Sequence, residues 1–236
     1  MSVLERLSSA GDRWVQLNTE IVACTACPRL VQWREKVARE KRRAFRDWDY
    51  WGRPVPGFGD RQARLAIIGL APGAHGANRT GRIFTGDSSG DTLTRALHRA
   101  GFANQPTSRH RGDGLQLRDA FLTAVARCAP PQNKLARDEL DNCQHFLARE
   151  LALLSSARVV LTLGRIAFDR YRRLLREQGA PLPRLAFRHG ACYRLDPPLP
   201  ALVVSYHPSR QNTQTGRLTD EMLDEVFAQV RRLLDE

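Results

Sequence analysis

The feature that most limits the fold of this 236-residue sequence is an alternation of short apolar runs with amphipathic stretches. The apolar runs are residues 65–70, 120–126, 158–163 and 201–205. The last two runs are rich in valine, a β-branched residue that favours strands. Helical periodicity is found around Trp14, Leu17 and Ile21 and in residues 92–100, 134–154, 166–175 and 218–234. Because parallel strands need a crossover, and continuously apolar strands are covered on both faces, the pattern predicts an α/β fold with three layers, α/β/α.

The chain offers no candidate for membrane insertion or secretion. No stretch approaches the roughly 20 consecutive apolar residues that a membrane helix requires. The start of the sequence, Met1–Glu5, lacks the basic-then-apolar order of a secretion signal. The 42% of hydrophobic residues are enough to build a full core. We therefore expect one domain over residues 1–236 that folds alone, as a cytoplasmic monomer of prokaryotic type without a membrane partner.

The charge of the chain favours a polyanionic partner. With 37 Lys and Arg against 25 Asp and Glu, the net charge is +12. Nucleic acid is the first candidate and acidic lipid the second, although a basic surface also simply keeps a protein soluble. A basic segment between residues 29 and 46 is either a face that contacts the nucleic-acid backbone or an exposed helix side. Its cations are Arg34, Lys36, Arg39, Lys41, Arg42, Arg43 and Arg46.

Four of the five cysteines have the spacing of a metal site. Cys24 and Cys27 are separated by two residues, and Cys128 and Cys143 follow far downstream with fourteen residues between them. Four soft ligands suit zinc or an iron-sulfur cluster. The wide second pair, and the proline after the first pair, favour iron-sulfur, while zinc remains open. Cys143 also lies on the apolar stripe of a predicted helix, so it is equally a candidate core cysteine, and Cys192 is interpreted as one.

Polar loops follow three of the predicted strands, at residues 69–90, 128–134 and 205–212. Open parallel sheets bind ligands at the carboxyl ends of their strands, so these loops are expected to converge. A shared pocket would combine an aromatic ring, a carboxylate, an amide and an imidazole, which is a set able to bind and release a nucleobase. These groups are Phe84, Asp87, Asn133 and His207. Nucleotide triphosphate binding has little support, because the sequence has no G-x-x-x-x-G-K-[ST] motif.

Two long stretches, GLAPGAHGANRTGRIFTGDSSG at residues 69–90 and SYHPSRQNTQTGRLT at residues 205–219, resemble the uracil-DNA glycosylase superfamily. The resemblance is closest to its type-5 iron-sulfur class, called UDGb, and covers essentially the whole chain. It implies a four-stranded parallel sheet and a DNA repair enzyme of the prokaryotic nucleoid that hydrolyses the N-glycosidic bond of uracil and other deaminated or damaged bases, hypoxanthine and xanthine among them. It also implies a [4Fe-4S] cluster on Cys24, Cys27, Cys128 and Cys143.

The resemblance also assigns catalytic roles. Asp87 would stabilise the oxocarbenium-like sugar and polarise a water, because Gly69 is followed here by Leu70 and Ala71 instead of the polar residue that many relatives carry. The alternative for Asp87 is a helix N-cap. His207 would donate a hydrogen bond to the base carbonyl, and its alternative is a residue that closes a turn before a proline.

The remaining site residues would hold the base and the DNA. Phe84 would stack on the base and Asn133 would read its edge, unless they are a core aromatic and a turn residue. The pocket wall would be formed by Gly69, Ala71, Gly73, Ala74 and His75. A polar segment would enter the minor groove and contact phosphates, or else be a solvated loop that caps the last helix. Its residues are Ser209, Arg210, Gln211, Asn212 and Arg217.

Two other functions remain open from the residues themselves. The first is a noncatalytic iron-sulfur module on the same fold that binds DNA or transfers electrons. The second, with less support, is an enzyme of phosphate-ester chemistry. DNA affinity without a product would indicate the first alternative, and strand cleavage that needs a divalent metal would indicate the second.

Overall fold

A six-stranded mixed sheet forms the centre of the computed structural model, which describes residues 3–236, with side chains from residue 11 onward. Residues 1 and 2, the start of the stretch considered as a secretion signal, lie outside the described residues. The strands are β1 Phe58–Gly59, β2 Leu65–Gly69, β3 Ala120–Ala124, β4 Val159–Leu163, β5 Cys192–Tyr193 and β6 Ala201–Ser205. They follow one another across the sheet in the order β1-β3-β2-β4-β6-β5.

The four central strands are parallel and correspond to the four apolar runs of the sequence. Strand β2 pairs with β3 and β4, and β4 pairs with β6, all in parallel. The two outer strands, β1 and β5, are antiparallel to their neighbours. The expectation of a four-stranded, all-parallel sheet was therefore incomplete. Each outer strand has only two residues, which is too short to stand out as an apolar run.

Helices account for most of the remaining chain. They are α1 Val3–Ala23, α2 Pro28–Glu40, α3 Ala77–Thr80, α4 Ser88–Arg99, α5 Arg137–Leu153, α6 Arg165–Glu177, α7 Arg210–Gln214 and α8 Asp220–Asp235. The five helices expected from periodicity are present. The periodic stretch 92–100 omits the first turn of α4, which begins directly after the cap at Asp87. Helices α3 and α7 were not predicted, since four or five polar residues carry no periodicity.

The sheet is covered by helices on both faces, as predicted. Leu65 and Ile67 of β2 belong to one core cluster, which they share with residues of α4 and α8. Their neighbours Ala66 and Ile68 belong to another, which contains residues of α1, α5 and α6. Alternate residues of a strand point to opposite faces, so β2 is buried on both sides. Because the helices cover the faces of the sheet, the carboxyl ends of the parallel strands are bordered by the loops that follow them. Within the described chain, no helix has the length and apolar character that crossing a membrane requires.

Candidate functional site

A cavity of about 580 Å³ lies beyond the carboxyl ends of the parallel strands, where the loops after β2, β3 and β6 meet. This volume is within the range of ligand pockets, roughly 300–1,000 Å³. Nine of the predicted site residues line the cavity. They are Ala71, Gly73, Phe84, Asp87, Asn133, His207, Ser209, Arg210 and Gln211. The expected convergence of the three loops is therefore confirmed.

Phe84 packs in the core and also lines the cavity. Its ring lies directly over Gly69, since a Cβ atom on that glycine would be 2.5 Å from Cζ of Phe84. The residue is only 8% exposed and has a positive φ of 49°, which is unusual for a non-glycine residue. The centroid of its ring is 6.0 Å from that of His207, with 30° between the ring planes. Gly69 thus belongs to the site as the support of Phe84.

Asp87 uses its two carboxylate oxygens in different ways. Oδ1 accepts a hydrogen bond of 2.9 Å from the backbone N–H of Gly90, which caps α4. Oδ2 lies against the backbone of Gly73 and Gly76, at positions where a Cβ atom would clash with it. Burial raises the pKa of Asp87, although the Gly90 N–H acts in the opposite direction. The predicted N-cap is confirmed, and the capped carboxylate still lines the cavity.

The imidazole of His207 is neutral at physiological pH. The residue follows β6, and burial lowers the pKa of its imidazole to about 4. Its backbone carbonyl accepts a hydrogen bond of 2.8 Å from Nδ2 of Asn212. A neutral imidazole has one N–H group, so it can donate to an oxygen without carrying a charge of its own.

Asn133 lies at the mouth of the cavity in a short turn, Pro131–Asn133. Both Gln132 and Asn133 have positive φ angles, of 53° and 57°. Asparagine tolerates this conformation better than most residues, so its interpretation as a turn residue is correct. The exposed side chain nevertheless lines the cavity, so both roles are compatible.

Three predicted residues lie beside the cavity. Nδ1 of His75 is 3.0 Å from the hydroxyl oxygen of Tyr50, and His75 is not part of the lining. Asn212 and Arg217 line a neighbouring cavity of about 640 Å³, which His207 and Gln211 also border. The guanidinium carbon of Arg217 is 4.7 Å from the ring centroid of Tyr206.

The segment expected to enter the minor groove contains a helix. Ser209 caps α7 by accepting a hydrogen bond from the backbone N–H of Asn212. The segment is therefore not a flexible loop, and Arg210 and Gln211 extend from the first turn of α7. Further residues that line the main cavity were missed, and they include Ser88, Ser89 and Lys134. The only sequence signal for the two serines was their position directly after Asp87.

The four predicted ligand cysteines surround one small cavity of about 20 Å³. Cys24 and Cys27 lie between α1 and α2, Cys128 follows β3, and Cys143 lies on α5. Burial raises the pKa of Cys128 to about 11 and that of Cys143 to about 12. Among residues 11–236, no three His, Cys, Asp or Glu side chains stand in an arrangement that would hold a metal ion.

Two buried arginines line the same cysteine cavity. Arg34 is 4% exposed and donates hydrogen bonds to Sγ of Cys128, at 3.0 Å, and to the carbonyl of Cys24. The interpretation of Arg34 as part of a DNA-contacting face is therefore wrong, because the side chain is turned into the protein. Arg127 is 2% exposed and forms an ion pair with Glu150. The Nε atoms of both arginines are buried without a hydrogen-bond partner.

Known proteins are similar to this chain over nearly its full length. The model of the uracil DNA glycosylase superfamily matches residues 56–231. The chain is similar to type-5 uracil-DNA glycosylases of Thermus thermophilus, with 53% identity over 90% of this chain and 94% of the relative, and of Mycobacterium leprae, with 50% identity over 96% and 98%. A type-4 uracil-DNA glycosylase of Pyrobaculum aerophilum is 32% identical over 66% of this chain and 71% of its own length. Both the identity and the coverage are thus higher for the type-5 relatives.

Proposed function

Because the chain belongs to the uracil-DNA glycosylase superfamily, and within it to the type-5 class, we propose that it removes uracil from DNA by hydrolysing the N-glycosidic bond, as a step of base-excision repair. The observation that carries the proposal is the single cavity in which Phe84, Asp87, Asn133 and His207 meet. A noncatalytic module is not favoured, since the relatives at 50% identity and above are glycosylases.

The substrate base enters the cavity after rotating out of the DNA helix. Extrusion costs a few kcal/mol of stacking and pairing, which contacts inside the cavity must offset. Phe84, whose ring tip packs against Gly69, would stack on the base. The amide of Asn133 carries both a donor and an acceptor, which matches the edge of a pyrimidine. These two residues bind and orient the base.

Asp87 acts on the sugar. As the glycosidic bond stretches, positive charge develops on the deoxyribose ring, and a carboxylate close to it lowers the energy of that state. The same carboxylate can polarise the attacking water. Its enclosure by Gly73, Gly76 and the start of α4 holds Oδ2 in one place, so little reorganisation is needed during the reaction.

His207 acts on the leaving group. Its neutral N–H donates to the carbonyl oxygen beside the glycosidic nitrogen, where negative charge accumulates as the base departs. A pKa of about 4 keeps the imidazole neutral at pH 7, so the donor is present without the cost of a buried cation. One donor of this kind contributes about 3 kcal/mol to the transition state.

We also propose a [4Fe-4S] cluster held by Cys24, Cys27, Cys128 and Cys143. The donor set supports this, since four soft ligands face one cavity. The unpartnered Nε–H groups of Arg34 and Arg127 support it further, because buried donors beside thiolates would stabilise negative charge. The cluster would supply metal–thiolate bonds that join the segment between α1 and α2 to the loop that ends in Asn133. Zinc on the same ligands has less support, because among residues 11–236 no three such side chains stand in an arrangement that would hold a single metal ion.

The small side chains of the cavity wall support a range of bases wider than uracil. Ala71 and Gly73 leave room beside the base position, so purines such as hypoxanthine and xanthine are further candidate substrates. Arg210, in the first turn of α7, and Arg217, after the helix, would contact phosphates of the same strand.

One assay tests the proposed activity. The protein is incubated in chelator with duplex DNA that carries uracil, hypoxanthine or xanthine, and abasic sites are then cleaved with alkali. We expect strand breaks only after alkali, and none in a duplex that contains thymine in place of uracil. Breaks that need a divalent metal and no alkali would indicate phosphate-ester chemistry. Tight DNA binding without base release would leave only the noncatalytic module.

A further inference from the structure

We call the cavity of about 580 Å³ that contains Asp87 and His207 the base cavity. A second cavity, of about 520 Å³, lies next to it. Gly86 lines the second cavity and Asp87 lines the base cavity, so consecutive residues separate the two. The second cavity is rich in cations, because three guanidinium groups face a single carboxylate. The three arginines are Arg79, Arg95 and Arg109, and the carboxylate is that of Asp91.

Arg79 is held rigidly in this cavity with one donor unused. It is 3% exposed, and its Nε and Nη2 atoms donate hydrogen bonds of 2.8 Å to the carbonyls of His75 and Gly86. Its guanidinium carbon is 4.0 Å from the ring centroids of both Phe45 and Trp48. The third nitrogen, Nη1, is buried without a hydrogen-bond partner. Arg79 therefore contributes a fixed positive charge to the wall of the cavity, and its hydrogen bonds are made within the protein.

The other two arginines approach from the solvent side. Arg95 lies on the exposed face of α4, and Arg109 lies in the loop between α4 and β3. The ring of His110 contacts that of Trp48, with 6.5 Å between the centroids, and Trp48 follows the basic segment by two residues. Phe45, which lies within that segment between Arg43 and Arg46, lines the cavity itself.

We propose that this cavity binds a phosphodiester group of the DNA strand whose extruded base occupies the base cavity. The inference rests on the proposed function. The exposed guanidinium groups of Arg95 and Arg109 can donate paired hydrogen bonds to phosphate oxygens. With the charge of Arg79, the cavity carries more positive charge than Asp91 neutralises. Gly86 and Asp87 are adjacent residues, with Cα atoms about 3.8 Å apart. A DNA strand that delivers its base beside Asp87 is therefore within reach of the cavity at Gly86. Arg79 already covers the faces of Phe45 and Trp48, which favours a phosphate there over a stacked base.

The test measures the salt dependence of DNA binding. Affinity is determined between roughly 50 and 200 mM KCl for the wild type and for R95Q/R109Q, with a duplex whose uracil is joined to the sugar by a glycosidic bond that resists hydrolysis. Each neutralised phosphate contributes about 0.9 to the slope of log K against log salt concentration. We therefore expect the slope of the double variant to be lower by about 1. R95K/R109K keeps both charges and should restore most of the slope. A wild-type slope in R95Q/R109Q would overturn the proposal.

A matched pair of substitutions controls for overall charge. Arg176 and Arg232 are exposed residues in the last turns of α6 and α8. Helix α6 begins at Arg165, which lines the cavity of about 640 Å³ described above. A helix rises about 1.5 Å per residue, so Arg176 is about 16 Å from that end of the helix. R176Q/R232Q removes the same charge at the opposite end of the sheet, and we expect an unchanged slope. An equal decrease in both pairs would indicate a general charge effect and refute the site.

A second measurement separates DNA from free phosphate as the ligand. Trp48 lines the cavity, so its fluorescence, identified with a W48F variant, reports occupancy. We expect DNA to change this signal in the wild type and to have less effect in R95Q/R109Q. If inorganic phosphate changes the signal while the DNA salt slope does not depend on Arg95 and Arg109, the site binds free phosphate and the proposal is wrong. Uracil release by the wild type is scored separately, so failure of this site does not count against the glycosylase activity.

Discussion

The carboxylate of Asp87 occupies the space that a side chain on Gly76 would need. The same carboxylate oxygen, Oδ2, also occupies the space that a side chain on Gly73 would need. The φ angle of Gly76 is −98°, so left-handed backbone is not the reason for glycine here. The carboxylate approaches too closely for a side chain, and the ψ angle of −104° also lies outside the main regions that other residues adopt. Gly69 lies in the same way against the ring of Phe84. These residues explain why a strand is followed by so glycine-rich a loop, because the backbone must approach the side chains of Phe84 and Asp87 closely.

Substitution of Gly76 by alanine should therefore impair catalysis without impairing DNA binding. The new Cβ atom displaces Oδ2 of Asp87, and a misplacement of about 1 Å can cost about 100-fold in rate. Single-turnover uracil release would measure the loss, and duplex affinity should stay near that of the wild type. G11A makes the same change in α1, where no atom lies within 4 Å of the new Cβ. Equal rates in G76A and G11A would show that the position of Asp87 is unimportant.

The variant D87N separates capping from catalysis. Asparagine caps a helix as well as aspartate does, but it has no carboxylate. We expect single-turnover uracil release to fall by about 100-fold or more. D87A, which also removes the cap, should lose about 1 kcal/mol of stability in addition. Full activity in D87N with a normal melting curve would reduce Asp87 to a helix cap.

The raised pKa of Asp87 predicts opposite effects of pH on stability and on rate. A folded-state pKa above the unfolded value means that the protonated carboxyl stabilises the folded protein at low pH. This contribution is lost as pH rises through the folded pKa, whereas the rate rises because the carboxylate forms. The unfolding free energy of the wild type relative to D87N should decrease from about pH 4 to pH 7, as measured by urea denaturation. A pH-independent difference would contradict the raised pKa.

The sequence was sufficient for the parts of the fold that depend on local patterns. The four parallel strands were found because each is buried on both faces, which makes its residues continuously apolar. The meeting of Phe84, Asp87, Asn133 and His207 followed from the rule that parallel strands end at the same edge. These inferences needed only periodicity and topology.

Features that depend on long-range contacts were not predictable in this way. Arg34 lies in a basic segment and resembles a surface residue, but it is buried because Cys128, 94 residues away, accepts its hydrogen bond. Helix α7 is short, and its formation depends on the Ser209 cap and on the contact of Asn212 with the backbone of His207. His75 was expected in the pocket wall, but Tyr50 holds it outside.

Substitution of His207 by alanine should slow base release and leave DNA affinity almost intact. Loss of one donor to the leaving group costs about 3 kcal/mol, or roughly 100-fold in the single-turnover rate. Since the pKa of His207 is about 4, the wild-type rate should show no inflection from this histidine between about pH 6 and pH 8. H98A, at an exposed position of α4, is the matched control. A defect in binding alone would contradict the assignment.

The four-cysteine site predicts that two cysteine-to-serine substitutions, C143S and C192S, differ in their effect on metal content. Cys143 borders the cavity shared with Cys24, Cys27 and Cys128, whereas Cys192 lies on the edge strand β5. Metal bound only in the folded state adds its binding free energy to stability. In anaerobically purified protein, we expect four irons per chain with visible absorbance in the wild type and in C192S. C143S should lose iron and melt at a lower temperature. Without the cluster, the loop after β3 that contains Cys128 and Asn133 is no longer bonded to the segment between α1 and α2. One zinc per chain, or equal iron in both variants, would refute the cluster.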